Sequence, residues 1–174
     1  MRPMVLFLPL ALVGSVATPR FTEPSPSSPP LAQEGRVNRP PRVEPAKPSC
    51  VPPGGRPLVC AQVLDDTSVA EVRALFRAEG ASTFYSTVML FDGTRYCAWL
   101  PAPLPQTQTI EVYVEGVDDE YELSRGRTHS LSVRPACVGA PQAASATPTA
   151  IRRTTPGQSP LPAGFDPTTM RRQK

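Results

Sequence analysis

The sequence predicts an all-β protein, an antiparallel β-sandwich with disordered tails at both ends. Three observations support this fold class. Short runs alternate apolar with polar residues, which is the period-two pattern of a strand with one buried face. An Asp-Gly pair lies between two runs rich in aromatic and β-branched residues, the usual signal of a hairpin. The 24 prolines of the 174 residues are concentrated outside the central part of the chain.

Six or seven short strands are expected in that central part. The alternation is clearest over residues 70–77, where Leu75 is the one exception, and over residues 110–116. Asp92-Gly93 supplies the positive φ angles of a two-residue hairpin turn. Strands of this length and spacing indicate a β-sandwich or a small barrel. The other predicted strands that can be delimited cover residues 58–64, 84–91, 94–100 and 130–134.

The prolines divide the chain into four parts. Residues 1–17 carry Arg2, an apolar run and small residues at the end, and we interpret them as a removed secretory signal peptide. A retained apolar helix is the alternative. Residues 18–49 are predicted to be a disordered proline-rich linker, 50–138 the folded domain, and 139–174 a disordered basic tail rich in Ala, Thr and Pro. We therefore expect a secreted or periplasmic protein without a membrane span after signal cleavage.

Four cysteines in an exported domain favour two disulfides. Cys50, Cys60, Cys97 and Cys137 lack the closely spaced pairs typical of zinc sites, so no metal is expected. The sequence permits three pairings. We favour Cys50 with Cys137, because closing so long a loop stabilises a small domain by about 4 kcal/mol in the chain-entropy model. That choice leaves Cys60 to pair with Cys97.

The net charge of +3 is unevenly distributed along the chain. Residues 50–138 contain seven Lys/Arg and eleven Asp/Glu, so the predicted domain is acidic. The excess positive charge lies in the predicted tails and not on a folded face that could follow a phosphate backbone. We therefore expect no nucleic-acid partner.

Three strand motifs carry a family resemblance. They are VRALFR at 72–77, YCAWLP at 96–101 and IEVYVEGVD at 110–118. In this order they resemble the strands of bacterial extracytoplasmic immunoglobulin-like modules related to fibronectin type III, over about residues 58–133. Val112, Gly116 and Cys97 depart from the family pattern. The resemblance implies an immunoglobulin-like sandwich used for spacing, adhesion or assembly, although a fold does not by itself fix a function.

The sequence contains no pattern typical of an active site, and we expect a non-enzymatic protein without a cofactor. His129 is the one histidine, and no G-x-S-x-G elbow supplies a nucleophile for it. Asp65-Asp66 and the acidic residues of 118–122 offer carboxylates for glycoside hydrolysis or for calcium. Their place at strand ends is instead typical of solvated turns.

Aromatic residues supply the candidate ligand-binding site. Strand parity directs Trp99 and Tyr113 away from the core, and Tyr85 is a further candidate. Exposed rings bind sugars or peptides, whereas the alternative is that Trp99 is buried against a disulfide or under a tail. The sequence thus predicts a module acting in cell-envelope structure or binding an envelope or extracellular protein. Carbohydrate binding through these aromatic residues is the alternative.

Overall fold

A computed structural model describes residues 37–46, 50–137 and 147–173. The predicted signal peptide and most of the predicted linker lie outside the described residues. Within them the chain forms twelve strands and one turn of 3₁₀ helix at Pro167–Thr169. The strands are β1 (Arg42–Pro45), β2 (Cys50–Val51), β3 (Leu58–Leu64), β4 (Val69–Ala78), β5 (Tyr85–Val88), β6 (Leu90–Phe91), β7 (Tyr96–Trp99), β8 (Thr109–Asp118), β9 (Leu123–Arg125), β10 (His129–Val133), β11 (Thr149–Arg153) and β12 (Met170–Arg172).

The strands form two sheets, which confirms the predicted all-β class. The smaller sheet has the order β1-β3-β7-β6, and the larger has the order β12-β11-β5-β4-β8-β10-β2, with β9 also paired to β8. Most neighbours are antiparallel, whereas β2 with β10 and β11 with β12 are parallel. No α-helix occurs in the described part of the chain, and none of its residues belongs to a helix long and apolar enough to cross a membrane.

Inward-facing side chains of both sheets form one apolar core, as expected for a sandwich. The two sheets approach closely where β3 crosses β8: a Cβ added to Gly116 would lie 3.0 Å from Cγ1 of Val63. Burial of each large apolar side chain stabilises the fold by roughly 1.5–3 kcal/mol. The central core residues are Val59, Ala61, Val72, Ala74, Phe76, Ala98, Leu100, Ile110, Val112, Val114 and Leu131.

The run predicted as one strand over residues 84–91 is two strands that belong to different sheets. β5 pairs with β4 in the larger sheet, and β6 pairs with β7 in the smaller one. Between them lies Met89, which is buried and donates its backbone N–H to the Val72 carbonyl at 2.8 Å. The chain therefore crosses from one sheet to the other at this residue.

The predicted hairpin is confirmed as β6 and β7, but its loop has four residues, 92–95, and not two. Gly93 adopts a φ of +102°. The Asp92 carboxylate accepts the backbone N–H groups of Thr94 and Arg95 at 3.0 Å each. These hydrogen bonds lower the pKa of Asp92 to about 2. The longer loop gives this carboxylate room to cap the turn.

Both predicted disulfides are present, with the pairing favoured above. Cys50 is joined to Cys137, with their Cα atoms 5.7 Å apart, and Cys60 is joined to Cys97 at 4.2 Å. Cys60 and Cys97 lie directly opposite each other on β3 and β7. One disulfide therefore closes the region between the two ends of the predicted domain, and the other links neighbouring strands.

The folded unit extends beyond the predicted boundaries of 50 and 138. On the amino-terminal side, β1 pairs with β3 within the region predicted to be a linker. On the other side, β11 pairs with β5 and β12 pairs with β11. We call residues 147–173 the C-terminal segment. The composition of this segment did not predict its strands, because prolines, glycines and polar residues separate its few apolar residues. The buried apolar side chains of the segment are Ile151, Phe165 and Met170.

Candidate functional site: an arginine-lined cleft

The outer face of the larger sheet, on the side away from the core, carries a cleft of about 540 Å³. Its floor includes Leu75 of β4, Ser86 of β5 and Tyr113 of β8. The strand register places Leu75 opposite both Ser86 and Tyr113, and all three are buried. Leu75 interrupts the alternation of β4 because this outer face is itself covered by side chains.

Four arginines line the cleft, which we call the arginine cleft. Arg73 comes from β4, Arg125 from β9, and Arg152 and Arg153 from β11. Glu115 of β8 is the acidic residue of the lining. Ser82, Thr83, Phe84, Thr154 and Thr155 close one end. The cleft is therefore basic and has a partly apolar floor.

The side-chain carboxylates of Glu71 and Glu115 orient two of the four arginines. Arg73 donates from Nε and Nη2 to the two carboxylate oxygens of Glu71 at 2.8 and 2.7 Å. Arg125 donates from Nε and Nη2 to Oε1 of Glu115 at 3.1 and 2.7 Å. The hydrogen bonds from Arg73 lower the pKa of Glu71, and those to Glu115 raise the pKa of Arg125. The guanidinium groups are thus held by forked, charge-assisted contacts.

Aromatic rings lie beneath the arginines. The Arg125 guanidinium lies over the ring of Tyr113, 4.4 Å from its centroid, and Arg77 lies over Phe84 at 4.3 Å. Phe84 packs on Tyr113 with centroids 4.9 Å apart and planes at 69°. Burial raises the pKa of Tyr113, and the nearby Glu115 carboxylate raises it further. These contacts cover Tyr113, which is only 6% exposed.

The C-terminal segment builds one wall of the cleft. The buried Gln158 accepts the backbone N–H groups of Thr154 and Thr155 through Oε1, at 2.8 and 3.2 Å. Its Nε2 donates to the Phe84 carbonyl at 2.7 Å, which fixes the segment against the beginning of β5. Arg153 donates to the Gln158 carbonyl at 3.3 Å. Part of the positive charge assigned to a loose tail therefore lies on the folded surface.

The aromatic residues predicted to bind a ligand do not come together. Tyr113 is in the floor of the cleft. Tyr85 points into the core and donates its hydroxyl to the Ser159 carbonyl at 2.9 Å. Trp99 is half-buried on the smaller sheet, opposite Leu58 of β3. The exposed aromatic platform expected from strand parity is therefore not formed by these three residues.

The histidine and the acidic turns also lie apart from the cleft lining. His129 is half-buried on β10, opposite Val112. Asp118 differs from the expected solvated turn residue because it is fully buried. Its carboxylate accepts the backbone N–H groups of Glu120 and Glu122 at 3.0 and 2.7 Å and the Asn38 amide at 2.8 Å. Within residues 37–46, 50–137 and 147–173, no group of three or more His, Cys, Asp or Glu is placed to hold a metal ion.

One feature of the sequence indicates the cleft, and none indicates the wall that β11 forms. Leu75 was the exception in an otherwise alternating strand, and an apolar residue on the polar face indicates that something covers that face. Arg152 and Arg153 follow a short apolar stretch in a proline-rich region, where nothing marks a strand. Their position depends on pairing with β5, which is a tertiary contact.

Comparisons with known proteins give no family for this chain. No protein-family model matches it, and no curated protein matches it. A solved structure described as an engineered protein is similar over 54% of this chain, with 17% identity and a TM-score of 0.42. The matching part spans 20% of that engineered protein, and this likeness is too low to support a functional argument.

Proposed function

We propose that the protein is an exported, non-enzymatic β-sandwich module that binds a protein of the cell envelope or extracellular space through the arginine cleft. One observation carries the proposal: four arginines from three strands converge over a floor that includes Leu75 and Tyr113. Arginine and aromatic residues are enriched at the centres of protein interfaces, where charge is combined with apolar area.

Export is supported by the cysteines. The two disulfides indicate an oxidising environment outside the cytoplasm, where such bonds persist. The predicted signal peptide at residues 1–17 points to the same compartment. The proposed location is therefore secreted or periplasmic, and an immunoglobulin-like assembly or adhesion module accords with it.

A protein partner is favoured over a carbohydrate because the rings are covered. Sugar recognition by stacking needs an accessible ring face. Of the three predicted rings, Tyr113 is 6% exposed and Tyr85 is 4% exposed, and Trp99 is half-buried on the other sheet. The accessible groups of the cleft are guanidinium and hydroxyl donors, which suit polar and anionic groups of a protein.

Site-specific photocrosslinking in the native host tests the proposal. A photoreactive residue replaces Thr155, which is exposed at the end of the cleft, and in a control it replaces Gln62, which is exposed on the smaller sheet. We expect a discrete protein adduct from position 155 that is absent from position 62. Its yield should fall when Arg152→Gln and Arg153→Gln are combined in the same chain. Equal adducts from both positions, an unchanged yield in the arginine variant, or a polysaccharide adduct would each contradict the proposal.

A further inference from the structure

The donors of the arginine cleft are arranged for carboxylates. We infer that the cleft binds the carboxylate side chains of an extended acidic peptide. This inference deepens the proposed function and rests on it. A guanidinium presents its N–H groups as a planar fork that matches both oxygens of a carboxylate. Arg73 already holds Glu71 in this way, with two hydrogen bonds of 2.8 and 2.7 Å.

The two arginines of β11 keep donors for an outside acceptor. Arg152 makes one contact with Glu71, at 3.4 Å. Arg153 donates to the backbone carbonyl of Gln158, and among the described residues it has no carboxylate partner. Each guanidinium has five N–H donors, so most of them remain available at these positions. Glu71 and Glu115, the two carboxylates that pair with the cleft arginines, therefore offset only part of the charge of the four arginines.

The floor strengthens the interaction with a bound carboxylate. Leu75 and Ser86 are each 5% exposed, so the base of the cleft holds little polar surface that competes for the arginines. Charge-assisted hydrogen bonds gain strength where the surroundings are less polar than water. Tyr113 lies under Arg125 and holds that guanidinium over the floor. A bound carboxylate thus meets guanidinium donors on the walls and little competing polar surface beneath them.

The order of the strands limits the length of peptide that can reach from one wall of the cleft to the other. Arg152 and Arg125 lie on β11 and β9, with β5, β4 and β8 between them. Four strand spacings of about 4.8 Å separate the backbones of the two residues by roughly 19 Å. Their side chains lean inward, because the Arg152 guanidinium contacts Glu71 on β4 and the Arg125 guanidinium lies over Tyr113 on β8. The guanidinium groups are therefore closer together than the backbones. An extended peptide advances about 3.3 Å per residue, so at most about six residues span the two guanidinium groups. We therefore expect acidic residues at both ends of a stretch of six residues or fewer, and Arg73 on β4 lies between the two ends.

A defined peptide tests the inference with the full exported chain. The probe is the blocked hexapeptide Glu-Glu-Ala-Ala-Glu-Glu, titrated at low salt and followed by NMR and calorimetry. Combining Arg152→Gln with Arg153→Gln should weaken binding at least roughly tenfold. Combining Arg171→Gln with Arg172→Gln makes the same charge change on β12 and should alter affinity by about twofold or less.

The length is tested separately. The comparison peptide is the blocked hexapeptide Glu-Glu-Glu-Glu-Ala-Ala, which has the same charge as the probe but no carboxylate at one end. It should bind more weakly than the probe, because fewer of its carboxylates reach the second wall. Equal affinity of the two peptides contradicts the assigned span. Equal affinity of the two double variants contradicts the assigned site.

Polygalacturonate serves as the polysaccharide comparison. We expect it to bind more weakly than the hexapeptide at equal carboxylate concentration. Tighter binding of the polysaccharide with loss in the cleft variant overturns the peptide assignment. Absence of peptide binding, with the Thr155 adduct retained, overturns this inference while the proposed function stands. Loss of the adduct with peptide binding retained overturns the proposed function instead.

Discussion

Phe165 packs edge to face on Phe76, with ring centroids 5.2 Å apart and ring planes at 78°. Phe76 lies on β4 in the middle of the larger sheet, whereas Phe165 belongs to the C-terminal segment. Both side chains are buried. The backbone of Phe165 also forms an isolated antiparallel β-bridge with Pro103. The carbonyl of the neighbouring Gly164 accepts the backbone N–H of Leu104 at 2.9 Å. The C-terminal segment is therefore part of the core.

Replacing Phe165 with alanine should destabilise the protein by about 3–5 kcal/mol, because it removes a buried ring and leaves a cavity beside Phe76. Urea unfolding with the disulfides intact measures this loss. Phe91→Ala is the matched control, since Phe91 is 58% exposed, and its cost should be about 1 kcal/mol or less. Similar losses for the two variants would show that the segment does not contribute to the core.

Gly164→Ala should cost more than Gly80→Ala. Both glycines have a left-handed φ, +83° and +80°, which costs roughly 1 kcal/mol for alanine. A Cβ on Gly164 would lie 2.6 Å from the Cβ of Ala78, whereas one on Gly80 would meet no atom within 4 Å. The overlap should add about 1–3 kcal/mol to the Gly164 variant alone. Thermal unfolding compares them, and equal midpoints would contradict the docking of the segment on β4.

Each disulfide should stabilise the domain. Replacing Cys50 and Cys137 together by serine should cost about 3–5 kcal/mol, and so should replacing Cys60 and Cys97. The oxidised chain should have an intact mass lower by four hydrogen atoms than the reduced chain. Peptide mapping without reduction identifies the pairs. Four free thiols in the protein isolated from its native host, or peptides joined in another pairing, would contradict the structure.

The turn of the β6–β7 hairpin should lose stability in acid. The folded-state pKa of Asp92 is about 2, below its ordinary value of 3.8. A depressed pKa contributes stability above the unfolded value, and this contribution disappears as the pH falls through the folded value. The difference in Tm between the wild type and Asp92→Asn should therefore be constant above about pH 5 and shrink towards about pH 2. NMR titration of the Asp92 carboxyl group with a midpoint near its ordinary value would refute this.

Alternation predicted most of the strands that form the two faces of the core. The predicted residues 58–64 coincide with β3, and the alternating runs lie within β4 and β8. These strands have one face in the core, so the period of two is visible in the sequence. Ala70 departs from the pattern because a bulge between Val69 and Glu71 shifts the register, and it is exposed.

The remaining elements depend on contacts that a single sequence does not display. β11 has five residues, and only its pairing with β5 makes it a strand. β1 ends in a proline and is ordered by pairing with β3. Two of the four arginines in the cleft come from β11. Because the sequence did not predict this strand, it did not predict the cleft. The sequence predicts Tyr113 as a site residue, but it does not predict that Phe84 and Arg125 cover the ring, because those contacts form only in the tertiary structure.

Phe76 and Phe165 are far apart in the sequence but in contact in the core, so the core cannot close until residue 165 has been added to the chain. A chain synthesised from its amino end contains β4 and β8 well before it contains Phe165. The apolar core stays open until residue 165 is available, and Arg152 and Arg153 reach their strand in the same late stage. A chain that ends before residue 165 therefore has neither a closed apolar interior nor the Phe165 contact that docks the C-terminal segment on β4.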